Sequence, residues 1–249
     1  EELVQITLKL KDLNEAKSYI SNNFQLRIPK PEKEKLKAPL ILNKDNLKQI
    51  ISDHSYWKDR GISPPTLEFF ESGIMRSGKM KDRHVFPIFD RGGRLLGVAG
   101  RDITNKQQLK WKLIGEKRLW GYPLKYNLKY LQAEKEVFLV ESIGDMLSLW
   151  EAGVKNTIVT FGLSITSKIK QILMVIDPKK IYISFNNDEN YAGNRAANKA
   201  RNNLLRQFDE QQLEIKLPPK NDFGSMSREE ILKWKSQIKT LEQNFSSAI

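Results

Sequence analysis

Val137-Phe-Leu-Val-Glu-Ser-Ile-Gly-Asp-Met146 decides how the rest of this chain is read. Its four leading apolar residues follow the charged run Glu134-Lys-Glu136, the pattern of a short strand buried on both faces. Met146, Leu147, Leu149 and Trp150 then recur at helical spacing, and Gly153 supplies a stop. The pattern predicts Glu141 at the carboxyl end of a parallel-type strand and Asp145 on the first turn of the next helix. Open α/β sheets place their chemistry at such ends. A carboxylate there is costly if dry and unpaired, so it calls for a cation, water or a donor. Taken alone, the pair reads more simply as helix capping, since carboxylates are welcome at a helix N-terminus.

Outward from this stretch the same alternation repeats. Strand Thr157 to Thr160, ended by Phe161-Gly162, leads to helix Thr166 to Val175; strand Ile181 to Phe185 leads to helix Gly193 to Phe208. Strand Leu213 to Leu217 leads to helix Ser227 to Lys239. Repeated βα units imply a parallel sheet flanked by helices, with all strand ends on one edge. Two further strands end in Asn186-Asn-Asp-Glu-Asn190 and Pro218-Pro-Lys-Asn-Asp222. Glu141, Asp188 and Asp222 therefore meet on one edge, where three acids would repel one another unless divalent cations sit between them.

The amino-terminal half has a different rhythm. Leu13 to Phe24 reads as a short helix and Pro29-Lys-Pro-Glu-Lys-Glu-Lys-Leu-Lys37 as an exposed linker. Helical spacing over Asn43 to Ser52 puts Leu47, Ile50 and Ile51 on one face, and a short element follows over Ser55 to Arg60. Ser63-Pro-Pro-Thr-Leu-Glu68 reads as a helix start with Ser63 as cap and Phe69 and Phe70 turned to a core. Together these predict a small helical layer. From Arg83 the period becomes two: Val85 to Phe89, the turn Asp90-Arg-Gly-Gly-Arg94 and Leu95 to Ala99 form a β-hairpin, with Gln108 to Ile114 as a third strand. The expected divisions are 1–40, an N-terminal segment and linker; 41–133, a small mixed helical and β-hairpin subdomain; and 134–249, the βα subdomain with its C-terminal helix.

With 42 Lys and Arg against 30 Asp and Glu, the chain carries +12, a balance that suits a polyanion partner. The excess concentrates after the hairpin. Arg101, Lys106, Lys110, Lys112, Lys117, Arg118, Lys125 and Lys129 are opposed there only by Asp102 and Glu116, and Trp111, Trp120, Tyr122 and Tyr126 are interleaved with them. That mixture suits phosphate contacts with base or ribose stacking, with Trp120 assigned to the core. Zero cysteines exclude disulfides, zinc fingers and thiol nucleophiles within this segment, and two histidines, His54 and His84, do not make a histidine-rich metal site. Any metal is expected to be hard and oxygen-bound, Mg²⁺ or Mn²⁺. No apolar run reaches the roughly 18 residues of a membrane span, so a cytoplasmic protein with no membrane partner is expected. The opening residue, Glu1, is what a fragment of a longer protein would show. An acidic metal edge beside a basic groove is what phosphoryl transfer requires.

Here the chain resembles a known family. Glu141-Ser-Ile-Gly-Asp145 looks like the first motif of the Toprim fold, and Asn186-Asn-Asp188, followed by Ala192-Gly193 and Ala196-Ala197, resembles its second, Asp-x-Asp motif. Leu217-Pro-Pro-Lys-Asn-Asp222 matches the late lysine-aspartate motif of primases. Tyr56-Trp-Lys-Asp-Arg-Gly-Ile62, Arg83-His-Val-Phe-Pro-Ile88, Gly97-Val-Ala-Gly-Arg101, Lys110-Trp111 and Lys117-Arg-Leu-Trp-Gly121 resemble the upstream half of the bacterial and phage DNA primase catalytic core. Three departures stand out: Ser142 replaces a glycine, Asn186 replaces the first acid of Asp-x-Asp, and two extra residues separate Asp188 from Gly193. Gly224 also stands where some primases have a further acid.

The resemblance implies an α/β fold (α+β overall), with a Toprim-like parallel sheet preceded by the smaller basic subdomain. It implies nucleotidyl transfer that builds short RNA primers on a single-stranded DNA template from ribonucleoside triphosphates. A replicative helicase would be a partner, and a phage-encoded protein would work in the host cytoplasm. Asp188 and Asp222, with Asn186, would hold Mg²⁺ or Mn²⁺ on the triphosphate. Glu141 would bind metal or assist deprotonation of the 3′-hydroxyl, and Asp145 would orient the site from the helix start. Arg83, Arg101, Lys110, Lys112 and Lys117 would bind nucleotide phosphates or template. Two alternatives use the same residues: a metal-dependent Toprim nuclease, and a non-catalytic single-strand-binding module for which Asn186 is the argument.

Overall fold

The structure, a computed structural model, describes residues 2–23 and 41–246. The expected linker over 29–37 lies outside the described residues. Residues Glu1–Ala38 and Pro39–Ile249 form two compact units. In the first, helix α1 (Glu2–Leu8) packs on helix α2 (Leu13–Asn23).

The second unit contains two sheets. The antiparallel one runs in chain order from β1 (Ile50–Ile51) through β2 (Gly73–Met75), β3 (Arg83–Phe89) and β4 (Leu95–Asp102) to β5 (Trp111–Gly115). The expected hairpin is β3 and β4, and the third strand is β5. The predicted helix over Asn43 to Ser52 is corrected: a 3₁₀ turn covers Lys44–Gln49, and Ile50 and Ile51 pair with Met75 and Ile74. β-branched residues fit a pleated surface, and three apolar residues are too few to fix a helical period. The expected helical layer is therefore thinner, made of α3 (Ser55–Lys58) and α4 (Pro64–Phe69). Ser63 stands at the α4 start, but its hydroxyl donates to the Glu151 carboxylate at 2.8 Å rather than capping its own helix. Phe70 is buried while Phe69 stays 49% exposed, so only one of the pair reaches the core.

The second sheet is parallel, with order β7-β6-β8-β9, where β6 is Glu136–Val140, β7 is Thr157–Val159, β8 is Lys180–Ile183 and β9 is Leu213–Ile215. Helices α5 (Leu124–Glu134), α6 (Ile143–Glu151), α7 (Ser167–Ile176), α8 (Ala192–Leu204) and α9 (Arg228–Ser246) accompany it. Strand alternation sorts the two faces. Val137, Leu139, Ile181 and Ile183 pack with side chains of α5, α7 and α8. Phe138, Val140 and Tyr182 point the other way, into a cluster with Trp150 of α6, Trp234 of α9 and the antiparallel sheet's Phe86, Leu96 and Ala99. Trp120 seals that cluster, its indole N–H donating to the Leu96 carbonyl at 3.3 Å. Gly97 lies so close to this indole that a Cβ there would meet it at 2.2 Å. Among the described residues no helix is long and apolar enough to cross a membrane.

Candidate active site

Because β6, β8 and β9 are adjacent and parallel, their carboxyl ends open on one edge. Glu141 leaves β6, Asn186 to Asp188 follow β8, and Asp222 sits in the loop after β9. Hydrogen bonds stitch these loops together. The Asn186 N–H donates to the Glu141 carboxylate. Asn187 donates its N–H to the Asn221 carbonyl at 2.7 Å and its side-chain amide to the Pro218 carbonyl at 3.1 Å. Phe223 in turn donates its N–H to Asp145 at 3.2 Å.

Asp145 is buried and closes a capping box on α6: its other oxygen accepts from the Ser142 N–H at 3.1 Å and the Ser142 hydroxyl at 2.7 Å. Ser142 itself has φ −131 and ψ 164, ordinary extended backbone that does not need the glycine of the resembled motif. The asparagine loop is braced from α8, where a Cβ on Gly193 would meet the Asn186 carbonyl oxygen at 1.7 Å. The two extra residues after Asp188 are taken up in a turn in which the Tyr191 N–H returns to the Asp188 carbonyl at 2.8 Å.

The edge is electrostatically loaded. Burial, followed by the like charges of Asp145, Asp188 and Asp222, pushes Glu141 up to about 7 against the Asn186 N–H. Burial also pushes Asp145 up to about 6, against its donors Ser142 and Phe223. Among the described residues no lysine or arginine forms an ion pair with any of these four acids. An all-oxygen, cation-poor set of this kind fits a hard divalent ion. Among the described residues no three His, Cys, Asp or Glu side chains close around a common point. Magnesium sites on phosphates use one or two carboxylates and complete the shell with water and phosphate oxygens, so an open set is compatible with that ion.

Two cavities adjoin the acids. One of about 300 Å³ is lined by Tyr56, Arg60 and Arg101 from the amino-terminal half together with Asp145, Asp222 and Ser225 from the βα half. The second, about 290 Å³, lies against Glu141, Phe161 and Gly162, and Trp111 borders both. Arg101 donates to the Tyr56 hydroxyl at 2.9 Å, its guanidinium 5.8 Å from the Trp111 ring centre, and Arg60 lies 3.8 Å over the Tyr56 ring. Lys117 donates to the Phe161 carbonyl at 2.9 Å at the rim of the second cavity. A larger cavity of about 460 Å³ lies away from the acids, among Leu96, Leu124, Ile172 and Val175.

Three of the basic residues singled out from sequence behave differently. Arg83 is buried, and its guanidinium donates to the carbonyls of Gly100 at 3.1 Å and Leu109 at 2.9 Å and to the Gln107 side chain at 2.8 Å. This corrects the phosphate-binding expectation, since those donors hold the β4–β5 loop in place. Lys112 pairs with Gly100 on β5 and alternates away from Trp111 and Leu113, the residues that face Glu141. Lys110 is exposed just before that strand, its carbonyl occupied by the Asp102 N–H. Arg60 and Tyr56 belong to the upstream motif Tyr56 to Ile62, which by itself does not mark either as a site residue. Their separation by one helical turn, beside a motif Trp, was the available signal.

Residues 138–226 match the family model described as Toprim-like. The chain is 32% identical over 125 residues to the DNA primase of Helicobacter pylori, covering 48% of this chain and 22% of that protein. It is 26% identical over 151 residues to the DNA primase of Aquifex aeolicus, covering 59% of this chain and 28% of that protein. The chain thus spans less than a third of the length of these relatives. Among solved structures, the DnaG primase catalytic domain bound to ssDNA superposes with a TM-score of 0.65 at 22% identity, covering 76% of this chain and 71% of that one.

Proposed function

We propose, from the premise that this chain has the Toprim-fold architecture of DNA primase catalytic cores, that it builds short RNA primers on single-stranded DNA by metal-dependent nucleotidyl transfer. The observation that carries the reading is that one cavity is lined both by basic and aromatic residues (Tyr56, Arg60, Arg101) and by acids (Asp145, Asp222). A nucleotide needs both: cations for its phosphates and template, and an acidic edge to hold the metal that neutralises the triphosphate.

In this reading Asp188 and Asp222, with the side-chain amide oxygen of Asn186, would hold Mg²⁺ or Mn²⁺, which would supply charge neutralisation on the transferring phosphoryl group. Glu141, raised to about 7, takes in its ionised form the proton of the attacking 3′-hydroxyl as the hydroxyl oxygen bonds to the α-phosphorus and pyrophosphate leaves. Asp145 touches no substrate; it locks the α6 start to the loop that carries Asp222. Arg101, ordered by Tyr56, binds phosphate, and Trp111 offers a stacking face. Lys117 adds a cation at the rim of the second cavity.

Incubating the chain with single-stranded DNA, labelled ribonucleotides and Mg²⁺ tests the reading. Short, template-dependent RNA is the expected product. Cleavage of the DNA without any nucleotide requirement would make the protein a Toprim nuclease, and binding without either reaction would make it a single-strand-binding module.

A further inference from the structure

Helix α8 and the residues after it, to Gln207, contain Arg195, Lys199, Arg201 and Arg206 with Asn194, Asn198, Asn202 and Asn203, and no Asp or Glu. Gly193, Ala196, Ala197, Ala200 and Leu204 form the buried stripe. At about 100° per residue the opposite side of α8 carries Asn198 and Asn202 beside Arg195 and Lys199, all exposed, with the exposed Arg206 in the turn after the helix and Asn194 half-buried at the flank. Asparagine lowers helix stability at every such position relative to alanine or lysine, so contact with solvent alone gives no reason for it there. The Asn198 amide donates one bond to the Asn194 carbonyl at 3.0 Å, and its remaining N–H, like the Asn202 amide, set beside a cation, suits phosphate and sugar oxygens. Among the described residues neither Lys199 nor Arg206 forms an ion pair, while Arg201 is engaged by Glu210 at 2.8 Å. Arg195 donates to the Asn190 carbonyl at 3.0 Å and so ties this face to the loop that carries Asp188.

We propose that this face of α8 binds the phosphate backbone of the template–primer duplex as it leaves the acidic edge, an inference that rests on the polymerase reading. Its position in the fold supports this. α8 packs on one face of the parallel sheet, while the Tyr56, Arg101 and Trp111 wall lies on the other, and the acids stand on the edge between. Nucleic acid that enters along the aromatic wall and passes the acids reaches α8 next. A duplex suits this face better than a single strand, because single-strand grooves stack bases on aromatic rings and this face contains none, Tyr191 lying at the cap. Thirteen residues make a helix about 20 Å long, roughly half a turn of duplex, which lets its cations reach two or three phosphates.

The test compares the whole chain with its K199E/R206E variant, using a preformed ten-base-pair RNA–DNA hybrid and single-stranded DNA of equal length as ligands in fluorescence anisotropy across a salt series. The hybrid should bind about tenfold or more weakly to the variant, with the log–log salt slope shallower by about 2, while single-strand affinity moves less than about twofold. Unchanged hybrid binding, or equal loss for both ligands, overturns the assignment. Asn202→Asp, which adds one negative charge without touching the buried stripe, should weaken hybrid binding about two- to threefold and provides the readout should the double variant not fold. Ribonucleotide incorporation is scored separately: its absence in the parent overturns the polymerase reading, whereas unmoved hybrid binding overturns the duplex face.

Discussion

Replacing Glu141 with Gln should make the metal-free protein more stable at alkaline pH while abolishing its chemistry. Burial and the neighbouring acids raise this carboxyl from 4.5 to about 7. The folded chain therefore holds a proton that the unfolded chain has released between those two values. The resulting stabilisation is fully present below 4.5 and is lost as pH rises through about 7, where the folded state too must accept the charge. At 1.36 kcal/mol per pKa unit the full shift would correspond to about 3 kcal/mol. The side chain is partly open to water, and screening reduces this to about 1–2 kcal/mol. Glutamine is neutral at every pH and escapes the loss. Thermal unfolding in EDTA should show nearly equal melting temperatures at pH 5 and a variant that melts about 3–6 °C higher at pH 8.5. Magnesium should narrow that gap by stabilising the parent more than the variant. A gap of the same size at both pH values, or a less stable variant at pH 8.5, would refute the claim that burial, with the neighbouring acids, raises the Glu141 carboxyl on this edge.

Asp145→Asn leaves one carbonyl oxygen where two carboxylate oxygens serve the Ser142 and Phe223 donors, and denaturant unfolding should register about 1–3 kcal/mol of lost stability. Gly193→Ala drives a methyl into the Asn186 carbonyl and should cost about 1–3 kcal/mol together with most of the activity, because the loop bearing Asp188 must shift. Arg83→Ala and Arg101→Ala should separate cleanly. The first should lower stability by about 2–4 kcal/mol through the β4–β5 loop. The second should leave the melting temperature nearly unchanged, reduce single-strand affinity about tenfold and flatten the salt slope by about 1.

The βα half was legible because each strand is a short apolar run and each helix begins after a turn signal, so strand ends could be placed to within a few residues. The three acids followed from that placement. Their hydrogen-bonded stitching did not, since the bond from Phe223 to Asp145 joins positions 78 residues apart and leaves no local trace in the sequence. Arg83 shows the opposite limit. Its charge and motif position marked it as a phosphate ligand, whereas four acceptors contributed by the β4–β5 region draw it inside. Ile50 and Ile51 read as helical in the sequence because Leu47, Ile50 and Ile51 are too few to fix a period, and their partner β2 is only three residues long.

The most direct test of the central claim is RNA synthesis from labelled ribonucleotides on single-stranded DNA by the parent chain and by Asp188→Ala, with single-strand binding measured in parallel. The acidic edge as the seat of nucleotidyl transfer requires short RNA from the parent, none from the variant, and equal DNA affinity for both. Undiminished synthesis by Asp188→Ala would contradict it.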